Sequence, residues 1–418
     1  MNAIISKSNI AGGIGIVPSK SYTIRALVCA VLANGSSRVN NPLTAEDTTA
    51  AVGSLCGIGA DITFEKSSWL VRGGRLKPPD CELFCGESAA TLRFLSAVCS
   101  LIKGESHLTF GPSLAKRPVV PLLQALESLG AITQRKDNTI IIEGGGVKGG
   151  TVKLAGDISS QFISALLIAA PLMDKGLTIR LSSTPVSVPY LKMTLEILEH
   201  FGIDVETSAD LKNYKIAPQS YCAKDIVIEG DWSAASYPLA LGASGGRASV
   251  SGLNIRSFQA DRIMLELLQQ MGAIVETSSK NVTVSTGKLK AIETDLTDSI
   301  DLLPTLAALA ALAEGQSVFK GIAKARLKES NRVLAMKDGL TRMGIAISEE
   351  EDRLLITGGK PIGTAIDSYK DHRIAMAFSI IGAAVGNTVI TDAECVAKTY
   401  PTFWQDFKAL GGKVTTNE

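Results

Sequence analysis

Five short stretches concentrate the polar chemistry of this chain, and each leads into an apolar segment. Val17-Pro18-Ser19-Lys20-Ser21-Tyr22-Thr23-Ile24-Arg25 runs into an Ala-rich helix, with Lys20, Ser21 and Arg25 at or near its start. Free backbone N–H groups and the helix dipole favour an anion at such a position. Gly156-Asp157-Ile158-Ser159-Ser160-Gln161-Phe162-Ile163-Ser164 gathers hydroxyls and an amide at the start of another apolar helix. Ordinary capping needs only one of these groups, whereas a phosphate or polyol uses several. In Lys324-Ala325-Arg326-Leu327-Lys328-Glu329-Ser330-Asn331-Arg332, Lys328 and Arg332 share a face if the stretch is helical. Glu329 lies beside them, a carboxylate whose pKa would be set by basic neighbours. Tyr369-Lys370-Asp371-His372-Arg373 and Val396-Ala397-Lys398-Thr399-Tyr400-Pro401 head two further helices. Together the five imply helix N-termini that serve a polyanionic ligand.

Other chemistries find no pattern here. The Walker A spacing, a GxSxG elbow and an HExxH helix are all missing. Gly12-Gly13-Ile14-Gly15 does not match a dinucleotide fingerprint and is expected to be a turn. Seven scattered cysteines without a CxxC pair, and three histidines, argue against a metal site or a disulfide framework. Lys and Arg number 42 against 41 Asp and Glu, and aromatics are 5%, which excludes a general nucleic-acid binder. Any bound anion must therefore be held by a local cluster. The N-terminal MNAIISKSN has no apolar leader, and the apolar runs are too short to span a membrane, so a cytoplasmic protein is expected.

The elements that must position these residues recur along the chain. An amphipathic helix ends on glycine, and an alternating strand, a turn and a second strand follow. Gly59, Gly130, Gly202, Gly272, Gly344 and Gly411 mark six copies at spacings of 71, 72, 70, 72 and 67 residues. Glycine suits the left-handed residue that ends a helix, and the period-two alternation behind it marks a strand with one buried face. Each copy also holds an earlier small-residue helix, as in Ser160 to Ala170 and Pro304 to Ala313. Six βαβαββ-like units in 418 residues, an α/β architecture, divide naturally into two lobes of three.

Pro18-Ser19-Lys20-Ser21, Ile158 to Phe162, Arg326 to Arg332, Asp371-His372-Arg373 and Ala397-Lys398-Thr399, in this order, resemble the 5-enolpyruvylshikimate-3-phosphate synthase family of enolpyruvyl transferases. The resemblance implies a two-lobed, inside-out α/β barrel-like fold. One lobe would comprise residues 1–17 and 231–418, the other residues 18–230, with lobes closing over substrate about crossings near 17–18 and 230–231. It implies a monomer that needs neither cofactor nor metal and acts on shikimate 3-phosphate and phosphoenolpyruvate.

By the same resemblance, Lys20, Ser21, Arg25, Ser159, Ser160, Gln161, Ser187, Asp301 and Lys328 look like ligands of shikimate 3-phosphate. Lys20, Ala89, Arg117, Gln161, Arg332, Arg373 and Lys398 look like the phosphoenolpyruvate clamp. Asp301, Glu329 and Lys20 look like the proton-transfer groups. The chain departs from the family in Cys85-Gly86-Glu87-Ser88-Ala89-Ala90-Thr91, where the family usually reads Gly-Asn-Ala/Ser-Gly-Thr. Glu87 would be unfavourable beside anions unless it faces a partner such as Arg93. The Ala89 methyl is expected to reduce sensitivity to glyphosate. The competing readings are a UDP-N-acetylglucosamine enolpyruvyl transferase and a non-catalytic anion-binding homologue.

Overall fold

In the computed structural model, which describes residues 1–417, the chain divides into two compact units. One comprises Met1–Val17 and Gly230–Glu418, the other Pro18–Glu229. Each unit carries three of the six four-stranded sheets found among the described residues.

One sheet shows how all are built. Strand Gly150–Leu154 pairs parallel with Leu177–Leu181, and helix Ser160–Ala169 makes the crossover. Helix Val188–His200 follows, then the hairpin Glu206–Thr207 and Asn213–Ile216, whose second strand adds antiparallel to Leu177–Leu181. Alternation along the strands turns Val152, Leu154, Ile179, Tyr214 and Ile216 inward. All six marker glycines have positive φ, between 80° and 110°. This is the left-handed geometry that lets each outer helix stop and a strand begin.

The sheets are not six tandem copies. The copy that ends at the C-terminus has only Lys413–Asn417 of its hairpin, and the N-terminal strand Asn2–Ser6 pairs antiparallel with it to complete the sheet. Ile226–Val227 likewise supplies the parallel first strand beside Gly35–Asn40. Gly12 to Gly15, expected as a turn, lies within strand Ile10–Gly15 and pairs parallel with Gly246–Ser251. Gly12 has a packing reason: a Cβ there would sit 2.8 Å from the Ala409 carbonyl oxygen.

Inside each unit three helices are buried on nearly every face. In one unit these are Lys20–Leu32, Ala89–Cys99 and Ser160–Ala169, and in the other Trp232–Gly245, Leu303–Leu312 and His372–Val385. Small residues such as Ala307, Ala308, Ala310 and Ala311 let the last three pack against one another. A fully buried Leu or Ile on such a helix contributes about 1.5–3 kcal/mol over its exposed form. Because the flanks of these helices are apolar, their polar residues gather at the N-termini. Lys20 and Ser160 open their helices, and Asp371 caps a third.

Candidate active site

In the Pro18–Glu229 unit, Ser19 caps helix Lys20–Leu32 and Lys20 is its first residue. The Lys20 ammonium lies 2.9 Å from a carboxylate oxygen of Asp47, with Lys20 23% exposed and Asp47 4%. A buried carboxylate thus anchors a lysine that reaches solvent. Arg25, one turn on, is buried against Thr194 Oγ1 at 2.8 Å and the carbonyls of Ser21 and Tyr190, with its guanidinium 5.2 Å from the Phe94 ring centre. Burial lowers its pKa to about 10, which still leaves it charged at neutral pH.

These bonds tie the Lys20 helix to helix Val188–His200, whose N-terminal flank is Ser187 in a left-handed conformation (φ 53°). Ser187 makes no capping bond there. Ser159 caps helix Ser160–Ala169 by accepting from the Gln161 N–H at 3.3 Å. The Gln161 side chain is fixed by Arg93, whose Nη1 donates to Oε1 at 2.5 Å and to Ser159 Oγ at 3.5 Å. Arg93 also donates to the Pro118 carbonyl and lies over the Phe162 ring. Burial, then repulsion from Arg117, lowers Arg93 to about 9. The structure therefore gathers Arg93, Arg117, Ser159 and Gln161 into one electropositive cluster.

Ala89 opens helix Ala89–Cys99 behind its cap Ser88. Glu87 has the partners that its place beside anions requires, but Arg93, named as one possible partner, donates to Gln161. The Glu87 carboxylate instead accepts from Ser113 Oγ at 2.6 Å and from the backbone N–H groups of Ser113 and Leu114. Hydrogen bonds at the start of the short helix Pro112–Ala115 thus take the place of a cation for Glu87.

In the other unit the charges interlock. Residues 324–332 do not form one helix, so the condition for a shared helical face of Lys328 and Arg332 is not met. A 3-10 turn, Ala323–Leu327, is followed by an extended Lys328, and helix Arg332–Arg342 starts at Arg332 with Asn331 as its cap. Lys328 and Arg332 meet nevertheless on Oδ1 of Asp301, at 3.2 and 2.8 Å. Arg373 reaches Oδ2 of the same carboxylate at 3.2 Å. Glu329 accepts from Arg332 Nη2 at 2.6 Å and lies 3.3 Å from the Lys398 ammonium. Arg332, 1% exposed, thus binds three carboxylates: Asp301, Glu329 and Asp371.

Burial alone would raise the pKa of Asp301, but Arg373, Lys328 and Arg332 outweigh it and hold the group well below the usual carboxylate range. His372 is the reverse case: burial keeps its imidazole neutral, far below the ordinary histidine pKa. Arg326, part of the same sequence motif, is spent on Glu349 and the Glu350 carbonyl.

Sequence reasoning did not single out Asp47, the supporting role of Arg93, or Asp371 as the partner of Arg332. Asp47 follows Glu46 in an ordinary helix start, and nothing local distinguishes it. Among the described residues no group of three or more His, Cys, Asp or Glu side chains is placed to hold a metal ion. No helix among them is long and apolar enough to cross a membrane, and all seven cysteines are free thiols.

Comparison with known proteins adds an independent line. Residues 4–407 match the family EPSP synthase (3-phosphoshikimate 1-carboxyvinyltransferase). A 3-phosphoshikimate 1-carboxyvinyltransferase of Dehalococcoides mccartyi is 51% identical over 416 residues, covering 99% of each chain. One from Methanothermobacter thermautotrophicus is 39% identical over 98% of this chain and 99% of its own. The solved EPSP synthase of Acinetobacter baumannii superposes with a TM-score of 0.84 at 28% identity, covering 99% of this chain and all of that one.

Proposed function

This chain belongs to the EPSP synthase (3-phosphoshikimate 1-carboxyvinyltransferase) family, and from that premise we propose that it transfers the enolpyruvyl group of phosphoenolpyruvate to the 5-hydroxyl of shikimate 3-phosphate, releasing phosphate. The observation that carries the mechanism is Arg332, which joins Asp301 through Nη1 and Glu329 through Nη2. One rigid guanidinium spaces two carboxylates suited to two separate proton transfers.

Lys20, Ser21, Arg25, Ser159, Ser160, Gln161, Ser187, Asp301 and Lys328 bind the shikimate phosphate, its hydroxyls and its carboxylate. Lys20, Arg117, Gln161, Arg332, Arg373 and Lys398 hold phosphoenolpyruvate, beside Ala89. Guanidinium forks suit both anionic groups, and each phosphate monoester brings about 1.5–2 negative charges near neutrality.

The 5-hydroxyl oxygen attacks C2 of phosphoenolpyruvate as Asp301 takes its proton, and the C3 methylene gains one from Glu329, which takes that proton up from solvent once the substrates have drawn Arg332 and Lys398 away from it. The C2–O bond to phosphate then breaks, the departing phosphate carries off the proton that Asp301 had taken from the hydroxyl, and a proton leaves the new methyl group for Glu329. Lys20 assists at the hydroxyl or the departing phosphate. In the unliganded protein Lys328, Arg332 and Arg373 hold Asp301 well below the usual carboxylate range, which makes it a weak base, and Glu329 is paired with Arg332 and Lys398. Substrate oxygens compete for Arg332, Arg373 and Lys398, and that competition raises the basicity of both carboxylates as the complex forms. The free thiols suit a reducing, cytoplasmic setting.

Relatives and chemistry favour the shikimate acceptor over UDP-N-acetylglucosamine. Phosphate release on mixing both substrates tests the reading. Release is expected with shikimate 3-phosphate and lost in Asp301→Ala or Glu329→Ala. Release with UDP-N-acetylglucosamine alone would replace the acceptor, and none with either would refute the activity.

A further inference from the structure

Asp261 has no part in the chemistry above, yet it is the buried acid electrostatically linked to Asp301. It sits in the 3-10 turn Ala260–Ile263 and is 1% exposed. Ser233 Oγ, on helix Trp232–Gly245, donates to its Oδ2. Its Oδ1 is fully buried and, among the described residues, has no hydrogen-bond partner. An ionised carboxylate with one oxygen buried and unsatisfied is costly, so such a group keeps its proton unless a cation compensates.

The charged groups facing it are few. Asp301, from the turn Ile300–Leu302, and Asp231, the cap of helix Trp232–Gly245, oppose its ionisation, and Arg373 from helix His372–Val385 favours it. Burial first, then Asp301, push its pKa up to about 7. Of the two linked acids, Asp301 is the one held ionised, because Lys328, Arg332 and Arg373 touch it directly.

We propose that Asp261 is a proton-holding positioning residue behind Asp301 and Arg373, and that its proton sets the charge of the phosphoenolpyruvate clamp. With the proton in place, the cations Lys328, Arg332, Arg373 and Lys398 outnumber the carboxylates Asp301, Glu329 and Asp371 by one, an excess that welcomes an anion. Without it the named cluster is neutral, and Arg373, paired with Asp301, meets a second negative charge as the substrate arrives. The proton moves only between Asp261 and solvent, and no covalent step is involved. The consequence for substrate binding rests on the function proposed above.

The test is the pH dependence of the kinetics in wild type and Asp261→Asn, with a 13C-carboxylate NMR titration of the unliganded protein. In wild type the KM for phosphoenolpyruvate is expected to rise about tenfold per pH unit above pH 7, the slope of a single linked proton. In Asp261→Asn that slope disappears. The Asp261 resonance should titrate near pH 7 in wild type and at lower pH in Asp301→Asn, which lacks the neighbouring negative charge. Parallel KM profiles in the two enzymes, or an Asp261 midpoint below pH 5, would overturn the proposal. A merely structural role would change kcat or KM equally at all pH values, and that result also overturns it. If Asp261→Asn does not fold, the titration of wild type and Asp301→Asn decides. Absence of turnover in wild type would refute the functional reading, and the titration would still decide the coupling.

Discussion

Arg332 and Asp371 form a two-point ion pair in the core of their unit, Nε to Oδ2 at 2.8 Å and Nη2 to Oδ1 at 3.3 Å, and neither side chain is more than 1% exposed. The same carboxylate accepts from the Arg373 N–H at 2.9 Å, capping helix His372–Val385, and from Ser330 Oγ at 3.0 Å. Asp371 therefore fixes two of the clamp's guanidinium-bearing residues at once.

Removing one partner of a buried pair leaves the other charge uncompensated. Asp371→Ala is expected to lose about 3–5 kcal/mol of stability, read as a lower urea midpoint. Asp371→Asn keeps an oxygen for the cap and should lose less. A loss below about 1 kcal/mol in Asp371→Ala would show that the pair does not hold this part of the fold.

The pH dependence of stability follows from three groups with different signs. Asp301 is depressed in the folded state, so the unfolded chain, with an ordinary value near 3.9, binds more protons in acid and stability falls as pH drops through that range. His372 is also depressed, so its contribution is complete above about 6.5 and declines below it. Asp261 is raised to about 7, so its contribution is complete below about 3.9 and is lost as pH rises toward 7. The last two oppose each other between about pH 4 and 6.5. His372→Asn should therefore gain stability as pH falls through this window, whereas Asp261→Asn should lose it. Urea midpoints at half-unit intervals measure both, and slopes of the same sign would contradict the assignments.

Ala89 opens the helix that the family resemblance places beside the phosphoenolpyruvate phosphate. Ala89→Gly removes a methyl group there and is expected to lower the glyphosate concentration needed for half-inhibition by about tenfold, the scale of a close steric contact of 1–2 kcal/mol. Equal inhibition of both enzymes would reject a role for the methyl.

Gly12 occupies a strand position that suits glycine, because a Cβ would press on the Ala409 carbonyl. Gly12→Ala should destabilise by about 1–3 kcal/mol through forced separation of the strand from helix Phe403–Ala409. Thermal unfolding measures it, and no change in the midpoint would mean the contact relaxes at no cost.

Much of the architecture was legible before any coordinates. Six evenly spaced glycines, each after an amphipathic helix, are a local signal, since helix termination and strand alternation depend on neighbouring residues. Four of the five motifs also lie at helix starts, where backbone geometry and side-chain type act over a few positions, whereas Lys398 ends the 3-10 turn Ala393–Lys398. The break between Lys328 and Arg332 was legible only in part, because Asn331 is a favoured helix cap but nothing local marks Lys328 as extended. Asn331 caps the helix there, and Lys328 leaves it to reach Asp301.

The sequence by itself determined the repeat, the family and the identity of the basic and acidic residues available for chemistry. Only the tertiary structure decided which of them meet. Lys20 finds Asp47 across 27 positions, Arg93 finds Gln161 across 68, and Arg332 finds Asp371 across 39. Strands Asn2–Ser6 and Ile10–Gly15 completing sheets built otherwise from residues beyond 230, and Asp261 keeping a buried oxygen without a hydrogen-bond partner among the described residues, are likewise facts of long-range packing. The physical reason is that pairing and pKa depend on burial and on charges brought near by folding, and neither quantity exists until distant segments share a core.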